Sequence, residues 1–120
     1  MAQHVLIKRV YDKQESSDGY RVLVDRLWPR GVKKDELQYD AWVKDLAPSP
    51  PLRKWFGHKP ENWVHFRESY EDELREASQM ERMRALVDEA GRKRMTLVYA
   101  AKDPDHNHAL ILAKELDRLY

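Results

Sequence analysis

The side chains best suited to chemistry lie in two polar segments, DRLWPRG at residues 25–31 and AAKDPDHNHA at residues 100–109. A carboxylate can accept a proton or orient a group, and a histidine titrates near neutral pH. The candidate catalytic residues are therefore Asp25, His108 and Lys102, of which Lys102 would bind charge. The same segments supply the candidate ligand-binding residues, which are Arg26, Trp28, Arg30, Asp103 and Asn107.

Basic side chains are concentrated just after Asp25. Residues 26–34 hold no acid and four basic residues, namely Arg26, Arg30, Lys33 and Lys34. The planar fork of arginine matches phosphate and carboxylate groups, so this run predicts a site for a small anionic ligand. A solvated basic surface is the alternative interpretation. Trp28 fits either a core or lid position or a platform on which a base stacks.

Asp25 and His108 each allow a structural and a functional interpretation. Asp25 follows an apolar run, where an unpaired carboxylate would be costly. It would then either brace the fold, by accepting hydrogen bonds from Arg26, Arg30 or the next loop, or serve as a general base or a ligand-orienting group. His108 is either a proton carrier or a hydrogen-bonded core histidine.

The second polar segment leads into a helix. Asn107 or Asp103 is expected to cap that helix, whose free backbone N–H groups would attract an anion, although Asp103 and Asp105 would compete for them. His106 and His108 do not predict a metal site, because two histidines one residue apart point in different directions on a helix and no third ligand is evident. We therefore expect no metal, and no feature of the sequence predicts a cofactor.

Three apolar runs predict the strands that would position these segments: His4–Tyr11, Tyr20–Leu27 and Met95–Ala101. The consecutive apolar residues of the second and third runs indicate burial on both faces, which makes the second run an inner strand. About eight residues separate the first two runs. Because a parallel crossover with a helix needs a dozen or more, this connection allows an antiparallel or edge pairing.

Helices are predicted between the second and third strands. A short helix is expected within Lys33–Trp42, and Ser49 followed by two prolines predicts another over Pro50–Phe56. Over residues 60–91 apolar side chains recur every three or four positions, which predicts a long helix with a break near Ser78.

The last helix is expected to begin at Asp103-Pro104. Strands that alternate with helices over residues 1–120 predict a single α/β domain, in which a small, largely parallel or mixed sheet of about three to four strands packs against helices. Ligands of such sheets bind beyond the carboxyl ends of the strands. Both polar segments follow strands, so we expect them to lie side by side at one edge of the sheet.

Composition narrows the classes of function. The chain of 120 residues has 22 basic and 21 acidic side chains, so no overall charge indicates a membrane partner, and nucleic acid is only weakly supported. The absence of cysteine excludes disulfides, thiolate catalysis and cysteine-ligated metals. The opening MAQHVLIKRVYDK resembles neither a signal peptide nor a membrane span, so a cytoplasmic protein is expected. No feature indicates an oligomeric state.

Two long strings, VYDKQESSDGYRVLVDRLWPRG and LVYAAKDPDHNHALILA, resemble the signature regions of the YeaO-like proteins, a branch of a bacterial domain-of-unknown-function family. The resemblance covers nearly the whole chain. It implies an α/β fold and no established activity. The wider family reads Cys-Ala-Glu-Lys-Asp-Pro-x-x-Cys-His-Arg in the second region. Lys102, Asp103 and His108 match that string, whereas other residues stand in place of its glutamate, second cysteine and arginine: Ala101, Asn107 and Ala109.

A mechanism that required the second cysteine or the glutamate of the wider family would lack the required group in this protein. Two classes of function therefore compete. In the first, the protein is a small enzyme that acts on a phosphate- or carboxylate-bearing substrate. In the second, it is a non-catalytic module that binds a nucleotide, a metabolite or nucleic acid. No phosphate-loop, dinucleotide-binding, nucleophile-elbow or zinc-protease motif decides between them.

Overall fold

Four strands form a parallel sheet in the computed structural model, which describes residues 4–91 and 93–120. The strands are β1 (Val5–Arg9), β2 (Tyr20–Leu23), β3 (Ala41–Trp42) and β4 (Met95–Tyr99), in the order β1-β4-β2-β3. Each neighbouring pair is parallel, so the carboxyl ends all lie at one edge. The α/β class, the largely parallel sheet and the inner position of β2 are confirmed.

The sheet separates two apolar cores. On one face, Val22 of β2 and Leu97 of β4 pack with the helices in the larger core. On the other face, Leu23 and Val98 pack with Leu37 in the smaller core. Successive side chains of a strand point to opposite faces, which explains why both inner strands are apolar without interruption.

The described residues contain four α-helices, namely α1 (Pro50–Phe56), α2 (Trp63–Leu74), α3 (Ala77–Glu89) and α4 (His108–Asp117). At the start of α1 the Ser49 hydroxyl accepts the N–H of Leu52, and Gly57 ends the helix in a left-handed conformation, as expected. The stripe over residues 60–91 forms two helices, and the break lies between Leu74 and Ala77, just before the predicted position near Ser78.

The prediction of a short helix within Lys33–Trp42 is wrong. The segment forms turns and then the short edge strand β3. The reason lies in Asp40, whose backbone N–H donates to the Arg21 carbonyl at 2.7 Å while its carboxylate accepts the Arg21 N–H at 2.8 Å. These bonds hold the segment in an extended conformation beside β2.

Strand β2 ends at Leu23, four residues before the predicted end at Leu27. The Val24 N–H still donates to the Val98 carbonyl at 3.1 Å. Beyond that point, the chain after β4 bonds to a side chain instead of to the backbone that follows β2. The carboxylate of Asp25 accepts the N–H of Ala100, so a side-chain bond replaces the backbone ladder at this point.

The first two strands are parallel, so the antiparallel alternative for their connection is wrong, whereas the edge position of β1 is confirmed. They are not neighbours, because β4 lies between them. A strand of five residues is about 17 Å long, so the short segment between β1 and β2 can return along it without a helix. That segment holds only a single turn of 3₁₀-helix, Ser16–Asp18.

A buried ion pair lies at the end of the sheet opposite the polar segments. Arg21 donates to the Asp18 carboxylate, which Lys8 also contacts at 3.0 Å. Burial opposes ionisation of Asp18, but hydrogen bonds from the Glu15 N–H, Lys8 and Arg21 outweigh it, and the pKa of Asp18 is lowered. Among the residues described here, no helix has the length and apolar character needed to cross a membrane.

Candidate functional site

Asp25 lies where β2 and β4 end side by side. Its Oδ2 atom accepts the N–H of Ala100, just beyond β4, at 3.0 Å. Its backbone carbonyl accepts a hydrogen bond from Nε1 of Trp42 at 2.7 Å. These contacts confirm that the two polar segments adjoin. Of the partners expected for a bracing Asp25, the described structure provides the next loop rather than Arg26 or Arg30.

His108 is the first residue of α4 and points back to β2. Its Nε2 atom lies 3.0 Å from the carbonyl oxygen of Val24 and 3.5 Å from Oδ1 of Asp25. Because a carbonyl oxygen only accepts hydrogen bonds, we assign the proton to Nε2. Both side chains are mostly buried, at 16% and 18% exposure. His108 therefore connects the end of β2 to the start of α4.

Burial displaces the pKa values of this pair in opposite directions. It raises the pKa of the Asp25 carboxyl, against the lowering influence of His108, the Ala100 N–H, Arg53 and His58. It lowers the pKa of the His108 imidazole, and Arg53 and His58 add to this effect, whereas Asp25 opposes it. In both residues, the burial of charge dominates.

Arg26 follows Asp25 and turns toward a different part of the fold. Its Nη2 donates to the carbonyls of Ala47 and Pro48 at 3.4 and 3.3 Å. Its Nε is buried and has no hydrogen-bond partner among the described residues. Two long hydrogen bonds leave much of a five-donor guanidinium unused.

Arg26 lines a cleft of about 290 Å³ between the segment before α1 and the helices α2 and α3. One wall is fixed by Ser49, whose backbone N–H and hydroxyl donate to the two carboxylate oxygens of Glu73 at 2.9 and 2.6 Å. The lining carries charges of both signs: Arg26, Arg82, Asp45, Glu73 and Glu76.

Tyr70 is a buried link between the cleft and the Asp25–His108 pair. Its hydroxyl donates to the Leu46 carbonyl at 2.6 Å, and its ring packs edge-on against the His108 ring at 6.2 Å. Burial raises the pKa of Tyr70, and the charges of Glu73 and Asp25 raise it further, while Arg26 lowers it. Charged groups of the cleft and the carboxylate of Asp25 therefore all influence the pKa of this buried hydroxyl.

The remaining predicted residues of the first segment do not line the cleft. Trp28 is half-buried, donates from Nε1 to the Val32 carbonyl at 2.6 Å, and packs edge-on against Tyr39 and Trp42. Arg30 is exposed, and its backbone carbonyl accepts from the Tyr11 hydroxyl. Lys102 of the second segment is also exposed. Their roles in binding remain predictions.

Asn107 caps α4, as one of the two expected alternatives: its side chain accepts the Leu110 N–H. The helix begins at His108, so the start predicted at Asp103-Pro104 is wrong. Asp103 forms a preceding turn instead, accepting the N–H groups of Asp105 and His106. The Asp105 N–H and the His106 side chain lower the pKa of Asp103. No group of three or more potential metal ligands occurs in residues 4–91 and 93–120.

The prediction from sequence missed most of the cleft lining, notably Glu73, Gln79 and Arg82. The apolar periodicity of the helices that carry these residues indicated only which side chains face the core. Ser49 had a local signal, as an N-cap, but its contact with Glu73 spans 24 residues. Such a contact has no signature in a single sequence.

Fold and site together define a small α/β domain with a polar edge at the ends of two parallel strands. A family model described as the Inactive DUF488-N3 subclade matches residues 4–120, and the chain belongs to this family. It is 47% identical to Uncharacterized protein YeaO of Escherichia coli (strain K12), over 97% of this chain and 99% of the relative. It is 40% identical to Uncharacterized protein Rv3073c of Mycobacterium tuberculosis, over 94% and 93%. No solved structure matches the chain. The resemblance to YeaO-like proteins is confirmed.

Proposed function

We propose that this protein is a non-catalytic domain that binds a small ligand bearing a phosphate or carboxylate group. The observation that carries the proposal is the state of Arg26, a half-buried guanidinium in the lining of the cleft with a buried, unpaired Nε. A buried donor without a partner costs about 1–3 kcal/mol. An anion that drew the guanidinium into a bidentate contact would recover part of that cost.

The other charges of the cleft favour a ligand that also carries an ammonium group. Arg82 adds a second cation to the lining, but Asp45 and Glu76 add carboxylates that accept no hydrogen bond from the side chains described. A purely anionic ligand would be repelled by those carboxylates. A zwitterion could place its anionic group on Arg26 and its ammonium group near the acids. The cleft volume is close to the lower end of small-molecule sites, about 300 Å³.

The absence of catalysis is supported by how Asp25 and His108 use their polar atoms. The Nε2 proton of His108 is directed to the Val24 carbonyl, and Asp25 accepts the Ala100 N–H. Neither residue lines the cleft. Ala101 and Asn107 replace the glutamate and the second cysteine of the wider family, and the family model is itself described as an inactive subclade.

A small enzyme that acts on an anionic substrate is the second candidate function. It is favoured by the opposite pKa displacements of Asp25 and His108, since burial that holds both groups closer to neutrality is one way to prepare an acid–base pair. In that case His108 would carry the proton and Asp25 would orient it. We also propose a cytoplasmic location, with which a chain that can form no disulfide is compatible.

Isothermal titration with phosphoserine, glutamate and inorganic phosphate tests the proposal. Arg26→Gln should weaken binding of phosphoserine by about 10- to 150-fold, the value of a charged hydrogen bond, while the fold is retained. Arg30→Gln is the matched control, because Arg30 belongs to the same loop but is exposed and outside the cleft.

Equal binding by Arg26→Gln and the wild-type protein would overturn the proposal. Loss of binding in Arg30→Gln alone would place the anion on the basic loop instead. Turnover of a phosphate ester or carboxylate ester that is lost in His108→Gln would favour the enzyme.

A further inference from the structure

A second surface, on α1 and the start of α2, exposes aromatic and apolar side chains. Trp55 and Val64 are each 51% exposed, although tryptophan is usually well buried. The rings of Trp55 and His65 meet edge to face at 6.4 Å. Beneath them, Phe56 stacks on Phe66 at 4.2 Å. The two helices are therefore fixed against each other, and Trp55 is held at the surface.

The same surface is strongly basic. Residues 50–67 contain four basic side chains and one acid, Glu61, whereas the other 102 residues hold 18 basic and 20 acidic ones. Lys8, Arg21, Arg75 and Arg118 pair with acids, but within the part of the chain described none of the four does so. We call this surface the basic aromatic face, formed by the exposed residues Lys54, Trp55, Lys59, Val64 and Arg67.

Unpaired cations around an exposed aromatic ring match the chemistry of a single nucleic-acid strand. The cations attract phosphates, and bases stack on aromatic side chains without regard to sequence. We propose that the basic aromatic face binds single-stranded nucleic acid, with Trp55 as the stacking residue and Lys54 and Lys59 as phosphate contacts. No residue of this face lines the cleft, so the inference is independent of the proposed function.

An anionic membrane surface is the less suitable partner. Helices that lie in a membrane interface bury a broad apolar face. Helix α1 has only seven residues, and Trp55 and Val64 are the large apolar side chains exposed here. A single ring among charges is better suited to stacking on a base than to insertion among acyl chains.

Fluorescence anisotropy of a labelled oligothymidylate of about ten nucleotides, a length within the range that single-strand sites cover, measures the binding. Trp55→Ala should weaken it about 5- to 150-fold, the range that loss of one stacked base implies, and Trp55→Phe should retain most of it. Lys54→Glu should lower the slope of log affinity against log salt by about 0.7, as expected for one phosphate contact.

Two control variants change an exposed apolar side chain and an exposed basic side chain elsewhere on the protein. Leu27→Ala removes a side chain that is 63% exposed, and Lys114→Glu reverses an exposed charge on α4. Both should bind the oligonucleotide as the wild-type protein does. Near-ultraviolet circular dichroism establishes that each variant is folded.

The proposal would be overturned by a folded wild-type protein that does not bind the oligonucleotide, or by equal affinity in Trp55→Ala. Binding to phosphatidylserine vesicles that requires Trp55, without binding to the oligonucleotide, would also overturn it and assign the face to membranes.

Discussion

Asp25→Ala should destabilise the fold because it removes the acceptor that joins the end of β2 to the loop after β4. The Ala100 N–H, which donates to Asp25 at 3.0 Å, would be left without a partner. That loss costs about 1–3 kcal/mol. The variant also loses the weaker contact with His108 at 3.5 Å, but it no longer buries a carboxylate whose pKa is raised by burial. We expect the free energy of unfolding to fall by about 2 kcal/mol in total.

Asp25→Asn separates the hydrogen bond from the charge. Its amide oxygen can still accept the Ala100 N–H, although a neutral acceptor forms a weaker bond than a carboxylate. Its amide nitrogen would face Nε2 of His108, which already donates to Val24. The expected loss is about 1 kcal/mol or less, because only one of the two contacts disappears.

Urea unfolding at pH 7, followed by tryptophan fluorescence and circular dichroism, compares these variants with the wild-type protein. Asp35→Ala is the matched control, because Asp35 is exposed in the loop before β3. If Asp25→Ala were no less stable than Asp25→Asn and Asp35→Ala, Asp25 would not act as a brace. The functional interpretation of the carboxylate would then be favoured.

Three further predictions concern stability. Gly19→Ala should cost more than about 3 kcal/mol in urea unfolding, because Gly19 has φ 68° and a Cβ there would lie 2.2 Å from the Arg94 carbonyl oxygen; a loss below 1 kcal/mol would contradict this. Asn107→Ala should cost about 1–2 kcal/mol through loss of the α4 cap, and a thermal melt unchanged from wild type would refute it. Folding lowers the pKa of His108, so the unfolded chain binds a proton at this residue at a higher pH than the folded protein does; stability should therefore fall as the pH drops below about 6.5. His108→Gln should flatten this part of the curve of stability against pH. An unaltered curve would show that another group is responsible.

The sequence was informative where a local pattern determines structure. The apolar runs around Val22 and Leu97 fill both cores, so an inner parallel strand could be predicted from burial on both faces. Ser49 and Gly57 cap the two ends of α1. Ser49 does so through its hydroxyl, and Gly57 through the left-handed conformation that a residue without a side chain adopts readily. The position of both polar segments at one sheet edge followed from the rule for parallel strands.

Other features depend on contacts between distant residues. Strand β3 has two residues and exists because Asp40 pairs with Arg21, which no periodicity could indicate. The partner of Asp25 is His108, separated from it by most of the chain. The sequence therefore identified the candidate residues but not how their polar atoms are used.

The central claim is that Arg26, rather than the Asp25–His108 pair, contacts the ligand. It is tested most directly by ¹⁵N nuclear magnetic resonance of the folded protein during titration with phosphoserine. We predict the largest shifts at the Arg26 side-chain Nε–H and the Ser49 backbone N–H, with the Ala100 N–H and the His108 ring unchanged. Large chemical-shift changes at Ala100 and His108, with none at Arg26, would contradict the claim that Arg26 contacts the ligand.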